Sequence, residues 1–283
     1  MTQPPEWVLI TGAASGIGRE FAVVAAKRHW KLVLVDIDKE KLAQTAEEIA
    51  RQYAVTIRTF DVDLSLEDAP EKCLQFCDDN GIEIDFLINN AGIFFFDPLL
   101  DANPRKVETM CRLHIYGVTR MCIVFGRRMR ERRFGYILNM SSLSAWMAMP
   151  GINVYNATKA YIRSLSKSLY FELKPYHVGV TAICPGGINT ALFGLPENLR
   201  KLACRLGFLM SPQKLAEKAV KSALKKKAQS IPGVLNHVLR FFMLLLPDGL
   251  VLPIAKKVPI YKRFFPSSEE RDGKAKGGKK SEE

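Results

Sequence analysis

Apolar positions along the chain follow two alternating rhythms. Short runs in which nearly every residue is apolar occupy residues 7–10, 31–36, 84–89, 135–140 and 178–184, and residues 55–60 alternate toward a sixth. Between them lie longer stretches, residues 17–28, 39–53, 67–79, 104–133 and 154–173. There apolar side chains return every three or four positions, as Leu42, Ala46, Ile49 and Ala50 do. The first rhythm suits strands buried on both faces and the second suits helices with one apolar face. Six strands alternating with helices predict an α/β fold: a doubly wound parallel sheet of Rossmann type, with right-handed crossovers. Asp38 is placed to cap the helix that starts at 39, and Pro104 suits the first turn of the helix 104–133.

Past Pro185 the rhythm loosens. Residues 186–210 read as a long loop over a substrate, 212–227 as a basic amphipathic helix, and 234–255 as an apolar stretch broken by Pro247, Gly249 and Pro253. Residues 266–283 mix charges with Ser and Gly and are expected to be disordered. The expected organisation is one dinucleotide-binding and catalytic domain (1–233), a helical, apolar and basic C-terminal extension (234–265) and a tail (266–283).

Composition adds limits. The chain has 283 residues, 48% hydrophobic and 25% charged, enough for one full core. Its six cysteines lack metal-ligand or paired spacing, so no metal site and a reduced chain are expected. Residues 1–6 are too short and polar for a signal peptide, and no apolar run reaches the roughly 18 residues of a membrane span. A cytoplasmic protein is the expectation. The net charge is +12, and residues 194–265 hold fourteen Lys or Arg against Glu197, Glu217 and Asp248, so +11 of it resides there. No nucleic-acid reading motif accompanies these cations, so nucleic acid is not an expected partner. The alternatives left are a solvated basic surface and a peripheral contact with anionic membrane. The apolar stretch 234–255 packs on the core, on a second subunit, or on that membrane.

Candidate chemistry begins at residues 11–18, Thr-Gly-Ala-Ala-Ser-Gly-Ile-Gly, between the first strand and first helix. Glycine there lets backbone turn sharply beside a pyrophosphate, and the helix N-terminus offers free N–H groups. Gly12, Ser15, Gly16, Ile17 and Gly18 are therefore candidate cofactor contacts. Asp36 ends the second strand, 18 residues past Gly18. Its carboxylate suits ribose hydroxyls and repels a 2′-phosphate, favouring NAD over NADP. Tyr155 and Lys159 lie four apart on one helix face, where a cation favours phenolate and lowers the tyrosine pKa. Ser142, just past the fifth strand, is placed to hold a substrate oxygen.

Together these pieces resemble the short-chain dehydrogenase/reductase family over residues 7–190. The resemblance rests on residues 11–18, on Asp61 and Val62 after the third strand, and on Asn-Asn-Ala-Gly at 89–92. It rests also on Ser142 thirteen residues before Tyr155, on Lys159, and on Pro185-Gly186 with Thr190. It implies that Tyr155 is the general acid/base, that Ser142 orients the substrate, and that Lys159 holds the nicotinamide ribose. It further implies that Asp61 and Val62 contact adenine, that Asn89, with Ala91 and Gly92, lies by the adjoining ribose, and that Ile188 and Thr190, near Pro185 and Gly186, meet the nicotinamide amide. A homodimer or tetramer is implied as well. One position departs from the family: His114 stands where an asparagine usually anchors a relay water. Either imidazole rebuilds the relay, or the relay is weaker, or His114 fills that helix face.

Phe94, Phe95, Phe96, Trp146, Met147, Met149, Leu192 and Phe193 surround the expected chemistry with few charges. They favour a hydrophobic ketone or secondary alcohol, steroid- or lipid-like, as the substrate exchanging hydride with NAD(H). The alternatives are an NADP-dependent 3-ketoacyl reductase and a non-catalytic NAD sensor.

Overall fold

The computed structural model describes residues 4–188 and 209–257. All six expected strands are present: β1 (Trp7–Thr11), β2 (Lys31–Asp36), β3 (Ile57–Asp61), β4 (Phe86–Asn89), β5 (Gly135–Met140) and β6 (Val178–Ile183). A two-residue β7 (Gln229–Ser230) joins the edge, pairing with Ala182 and Ile183. The sheet is parallel throughout, in the order β3-β2-β1-β4-β5-β6-β7. Strand order reverses between β1 and β4, so their C-terminal ends diverge and leave a crevice.

Alternation along the strands divides the core in two. Val8, Ile10, Leu32, Leu34 and Ile88 face helices α1 (Gly16–Ala26) and α7 (Pro212–Leu224). Leu9, Val33, Leu87 and Ile137 face α3 (Ala69–Asp79), α5 (Val118–Glu131) and α6 (Asn153–Leu173). Burial on both faces is why these strands read as continuous apolar runs. The Asp38 side chain caps α2 (Lys39–Gln52) by accepting from Lys41 N–H at 3.1 Å, as the sequence predicts.

The expected helix 104–133 differs in its middle. α4 (Pro104–Cys111) and α5 are joined by a π-helical segment, Arg112–Gly117. Wider turns of this kind occur chiefly at functional sites, and this one carries His114, fully buried.

The stretch 234–255 forms two helices, α8 (Val234–Leu245) and α9 (Asp248–Lys257), with Pro253 inside the second. α8 packs against the 3-10 turn Leu143–Trp146, which follows β5. The expected tail 266–283 and most of the expected loop 186–210 lie outside the described residues.

Gly18 lies where α1 crosses the end of β1. A Cβ there would come within van der Waals overlap of the Gly12 carbonyl, which is backbone and cannot yield. Gly81, at φ +63°, has open space around its Cβ position. Gly18→Ala is therefore expected to cost about 3 kcal/mol or more by overpacking. Gly81→Ala should cost only the roughly 1–2 kcal/mol of left-handed strain. Urea unfolding of the two variants checks the order.

Candidate active site

A cavity of about 980 Å³ occupies the crevice at the C-terminal ends of the strands. One end is built by the β1–α1 turn. Ser15, Gly16 and Ile17 line it, and Ser15, the N-cap of α1, makes no capping bond through its side chain. The first-turn amide donors are thus left for an anion, and the helix dipole favours one. Asp36 closes this end: Oδ2 accepts from Ala14 N–H at 2.9 Å and Oδ1 from Asp38 N–H at 3.1 Å. Of the nearby cations, Lys41 pairs with Asp38 and Arg19 with Glu48. Loop, dipole and carboxylate fit a dinucleotide.

Ser142, Tyr155 and Lys159 converge on the other end. Ser142 lies beside the Tyr155 phenol, where its hydroxyl draws the phenol pKa down, and accepts from Ser144 N–H at 3.1 Å. Lys159 is buried, with Nζ donating to the Met140 carbonyl at 2.9 Å and lying 5.5 Å from the Tyr155 ring centre. Burial pushes the Tyr155 phenol up to about 12, against the opposing pull of the Ser142 hydroxyl. This is opposite to the lowering expected from Lys159. The phenol's own desolvation outweighs its neighbours, and the same burial brings Lys159 down to about 8, still largely protonated near neutrality.

His114 bridges two walls. Its Nε2 accepts from Ile93 N–H at 3.1 Å, which leaves Nδ1 as the protonated nitrogen facing Thr158 Oγ1 at 2.9 Å. The Thr158 hydroxyl in turn donates to the Tyr155 carbonyl at 2.9 Å. Burial, and then the charge of Lys159, hold the imidazole well below its ordinary pKa. Gly92 is required beside it, because a Cβ there would lie 2.8 Å from His114 Nε2.

Of the residues singled out in the sequence, Gly12, Ser15, Gly16, Ile17, Asp36, Val62, Ala91, Gly92, His114, Ser142, Tyr155, Lys159, Pro185, Gly186 and Ile188 line the cavity. Gly18 sits behind the loop. Asp61 is exposed, 3.9 Å from Lys39. Asn89 points into the core, donating to Asn139 Oδ1 at 2.8 Å. Its neighbour Asn90 reaches the cavity instead and donates to the Thr11 carbonyl at 3.0 Å. Successive residues at a strand end face opposite sides, which the repeated Asn-Asn leaves ambiguous in sequence. Thr190, Leu192 and Phe193 lie outside the described residues.

Phe94, Phe96, Leu143 and Met147 form apolar wall, whereas Phe95, Trp146 and Met149 do not. Trp146 is drawn off by two guanidinium groups, Arg163 at 4.8 Å and Arg240 at 5.2 Å from its ring centre. Leu113, Ile152, and Leu239 and Met243 of α8 complete the wall. Sequence reasoning missed Leu239 and Met243 because no local pattern marks a distant helix as pocket wall. Among the described residues no cluster of His, Cys, Asp or Glu could hold a metal.

A family model described as short chain dehydrogenase matches residues 6–197. A very-long-chain 3-oxoacyl-CoA reductase of Rattus norvegicus is 35% identical over 227 residues, covering 78% of this chain and 68% of that protein. Across five mammalian reductases of that name, the match spans 61% to 78% of their length. Among solved structures, a short-chain dehydrogenase from Sphingobium yanoikuyae in complex with NADPH superposes with TM-score 0.72 at 27% identity, covering 89% of this chain and 96% of its own. A 3-oxoacyl-[acyl-carrier protein] reductase from Brucella melitensis with bound NAD does so at 0.69 and 27%, covering 81% and 90%. With its parallel sheet, glycine-rich turn and Ser142–Tyr155–Lys159 cluster, the chain belongs to the short-chain dehydrogenase family.

Proposed function

We propose that this protein interconverts a hydrophobic ketone and its secondary alcohol, with NAD(H) as the preferred coenzyme. The observation that carries the reading is the meeting of Ser142, Tyr155 and Lys159 at one end of a largely apolar cavity whose other end fits a dinucleotide. A bound nicotinamide would supply or accept the hydride. In the reductive direction Tyr155 Oη donates its proton to the substrate oxygen as that oxygen gains charge, and Ser142 Oγ holds the same oxygen in place. Lys159, one turn along α6, supplies a positive charge against the phenolate that results. Phe94, whose ring meets that of Tyr155 edge-on at 5.0 Å, keeps water from the phenol. The mammalian reductases of similar sequence narrow the ketone toward a 3-oxoacyl chain, for which the wall of Phe94, Phe96, Met147, Leu239 and Met243 provides apolar contact. The homo-oligomer and the cytoplasmic setting expected from the sequence remain part of this proposal.

The NAD preference rests on Asp36. Two backbone donors fix its carboxylate, and Ile37 next to it gives no cation for a 2′-phosphate. Wild-type protein is expected to turn over faster with NADH than with NADPH at equal low concentration. Asp36→Ala with Ile37→Arg should reverse that order. Faster wild-type turnover with NADPH would remove the preference.

Tyr155→Phe removes the proton donor and should cost roughly 10²–10⁴-fold in turnover while leaving NADH binding, read by fluorescence titration, nearly unchanged. Near-normal turnover of a ketone panel by this variant would overturn the acid/base assignment.

His114 acts in this proposal as a neutral tie rather than a titrating relay. Its folded pKa lies below the unfolded value, so the unfolded chain takes up the proton first. That destabilises the fold progressively as pH falls below about 6.5. His114→Asn should flatten the fall, measured as urea midpoints on either side of that pH, because His29, His177 and His237 are exposed. The same substitution should leave the position of the pH–rate profile near neutrality unchanged; a moved profile would restore the titrating relay.

A further inference from the structure

α8 has two faces with different neighbours. On the inner face the Asn236 side chain donates to the Pro232 carbonyl at 2.5 Å and lies so close over Gly186 that no Cβ fits there. Arg240 stacks on Trp146, and Met243 packs with Leu143 and Ile231. Leu239 and Met243 also wall the catalytic cavity. On the outer face Val234, Val238, Phe241, Phe242, Leu244 and Leu245 are exposed, with Phe241 at 59%, Phe242 at 63% and Leu245 at 61%. α9 adds exposed Leu250 and Leu252. A contiguous apolar surface of this kind marks a contact site.

Charge selects the occupant. Residues 234–257, which form α8 and α9, carry Arg240, Lys256 and Lys257 against Asp248, within a chain of net charge +12. Lys256 is exposed at the end of α9, directly after the apolar surface. Two copies meeting through this face would bring like-charged segments together. A surface of negative charge with an apolar interior satisfies both the cations and the exposed Phe and Leu. Among the described residues no helix is long and apolar enough to cross a membrane. Twelve-residue α8 spans only about 18 Å, so the contact lies along the surface.

We propose that α8 and α9 dock on an anionic lipid surface, with Phe241, Phe242, Leu244 and Leu245 entering the boundary between headgroups and acyl chains. Leu239 and Met243 on the same helix then set the wall of the catalytic cavity beside the lipid, where a membrane-dissolved ketone is concentrated. The docking rests on helix faces and charge, independently of the hydride-transfer reading.

The test is co-sedimentation of the full chain with vesicles of phosphatidylcholine alone and of phosphatidylcholine mixed with phosphatidylserine. Binding is expected to the mixed vesicles, to weaken with added salt, and to be slight with phosphatidylcholine alone. Phe241→Ser with Phe242→Ser should weaken it by roughly tenfold or more, with circular dichroism and turnover of a short water-soluble ketone unchanged. Lys256→Glu should weaken binding to the mixed vesicles only. No binding at low salt, equal salt-insensitive binding to both vesicles, or undiminished binding of the double variant would overturn the proposal. Sedimentation velocity covers the remaining occupant. A wild-type dimer that the double variant dissolves, without vesicle binding, would assign the face to a second copy of the chain and overturn the lipid contact.

Discussion

The site depends on how the end of β1 is fastened to the end of β4. Parallel strands diverge there because the connections run to opposite sides, and backbone donors at the split lose their sheet partners. The Thr11 hydroxyl replaces them, accepting from both Asn90 N–H and Ala91 N–H at 3.0 Å. Asn90 returns the tie by donating to the Thr11 carbonyl at 3.0 Å and the Gly12 carbonyl at 3.3 Å. The glycine-rich turn and the loop from Ala91 to Phe96 are thereby held as opposite walls of one crevice. His114 extends the same logic by one layer, pinning Ile93 of that loop to Thr158 of the catalytic helix. Misplacing any of these ties would shift the reacting groups relative to the dinucleotide end.

Burial drives the titratable groups of the catalytic end in one direction. The Tyr155 phenol is pushed up, Lys159 is brought down, and His114 is held well below its usual range, each chiefly by desolvation. All three are thus moved toward their neutral forms. In the proposed reaction, charge that develops on a reacting oxygen in this cavity of low polarity would be met by groups already placed, Ser142 and Tyr155, with little competing field. The Lys159 bond to the Met140 carbonyl holds the amine at the end of β5.

The strands, the glycine turn and the Tyr155–Lys159 pair were legible in sequence because each is a local pattern. Strands buried on both faces give unbroken apolar runs, and a helix pair four apart is fixed by pitch. What was not legible depends on distant partners. β7 is two residues long and exists because Ala182 and Ile183 offer an edge. The π-helical turn carries His114, whose partners Ile93 and Thr158 are 21 and 44 residues away. Asn89 and Asn90 are equivalent as letters, and only the pleat sends one to the core and the other to the crevice. Trp146 reads as pocket wall until Arg163 and Arg240 are seen on its ring.

That Trp146 contact gives the C-terminal helices their place in the molecule. A helix of twelve residues with an exposed apolar face is marginal by itself, so α8 needs fixed points on the core. Arg240 on Trp146, Asn236 over Gly186 and Met243 beside Leu143 are three such points, and all fall within the 3-10 turn after β5, the Pro185–Gly186 corner, or the packing next to them. These are the segments that carry Ser142 and line the same cavity. Any displacement of α8 is therefore felt first at the substrate wall through Leu239 and Met243, and next at the turn that positions Ser142. Of the alternatives the sequence left open for residues 234–255, packing on the core holds for the inner face of α8, which also lines the cavity.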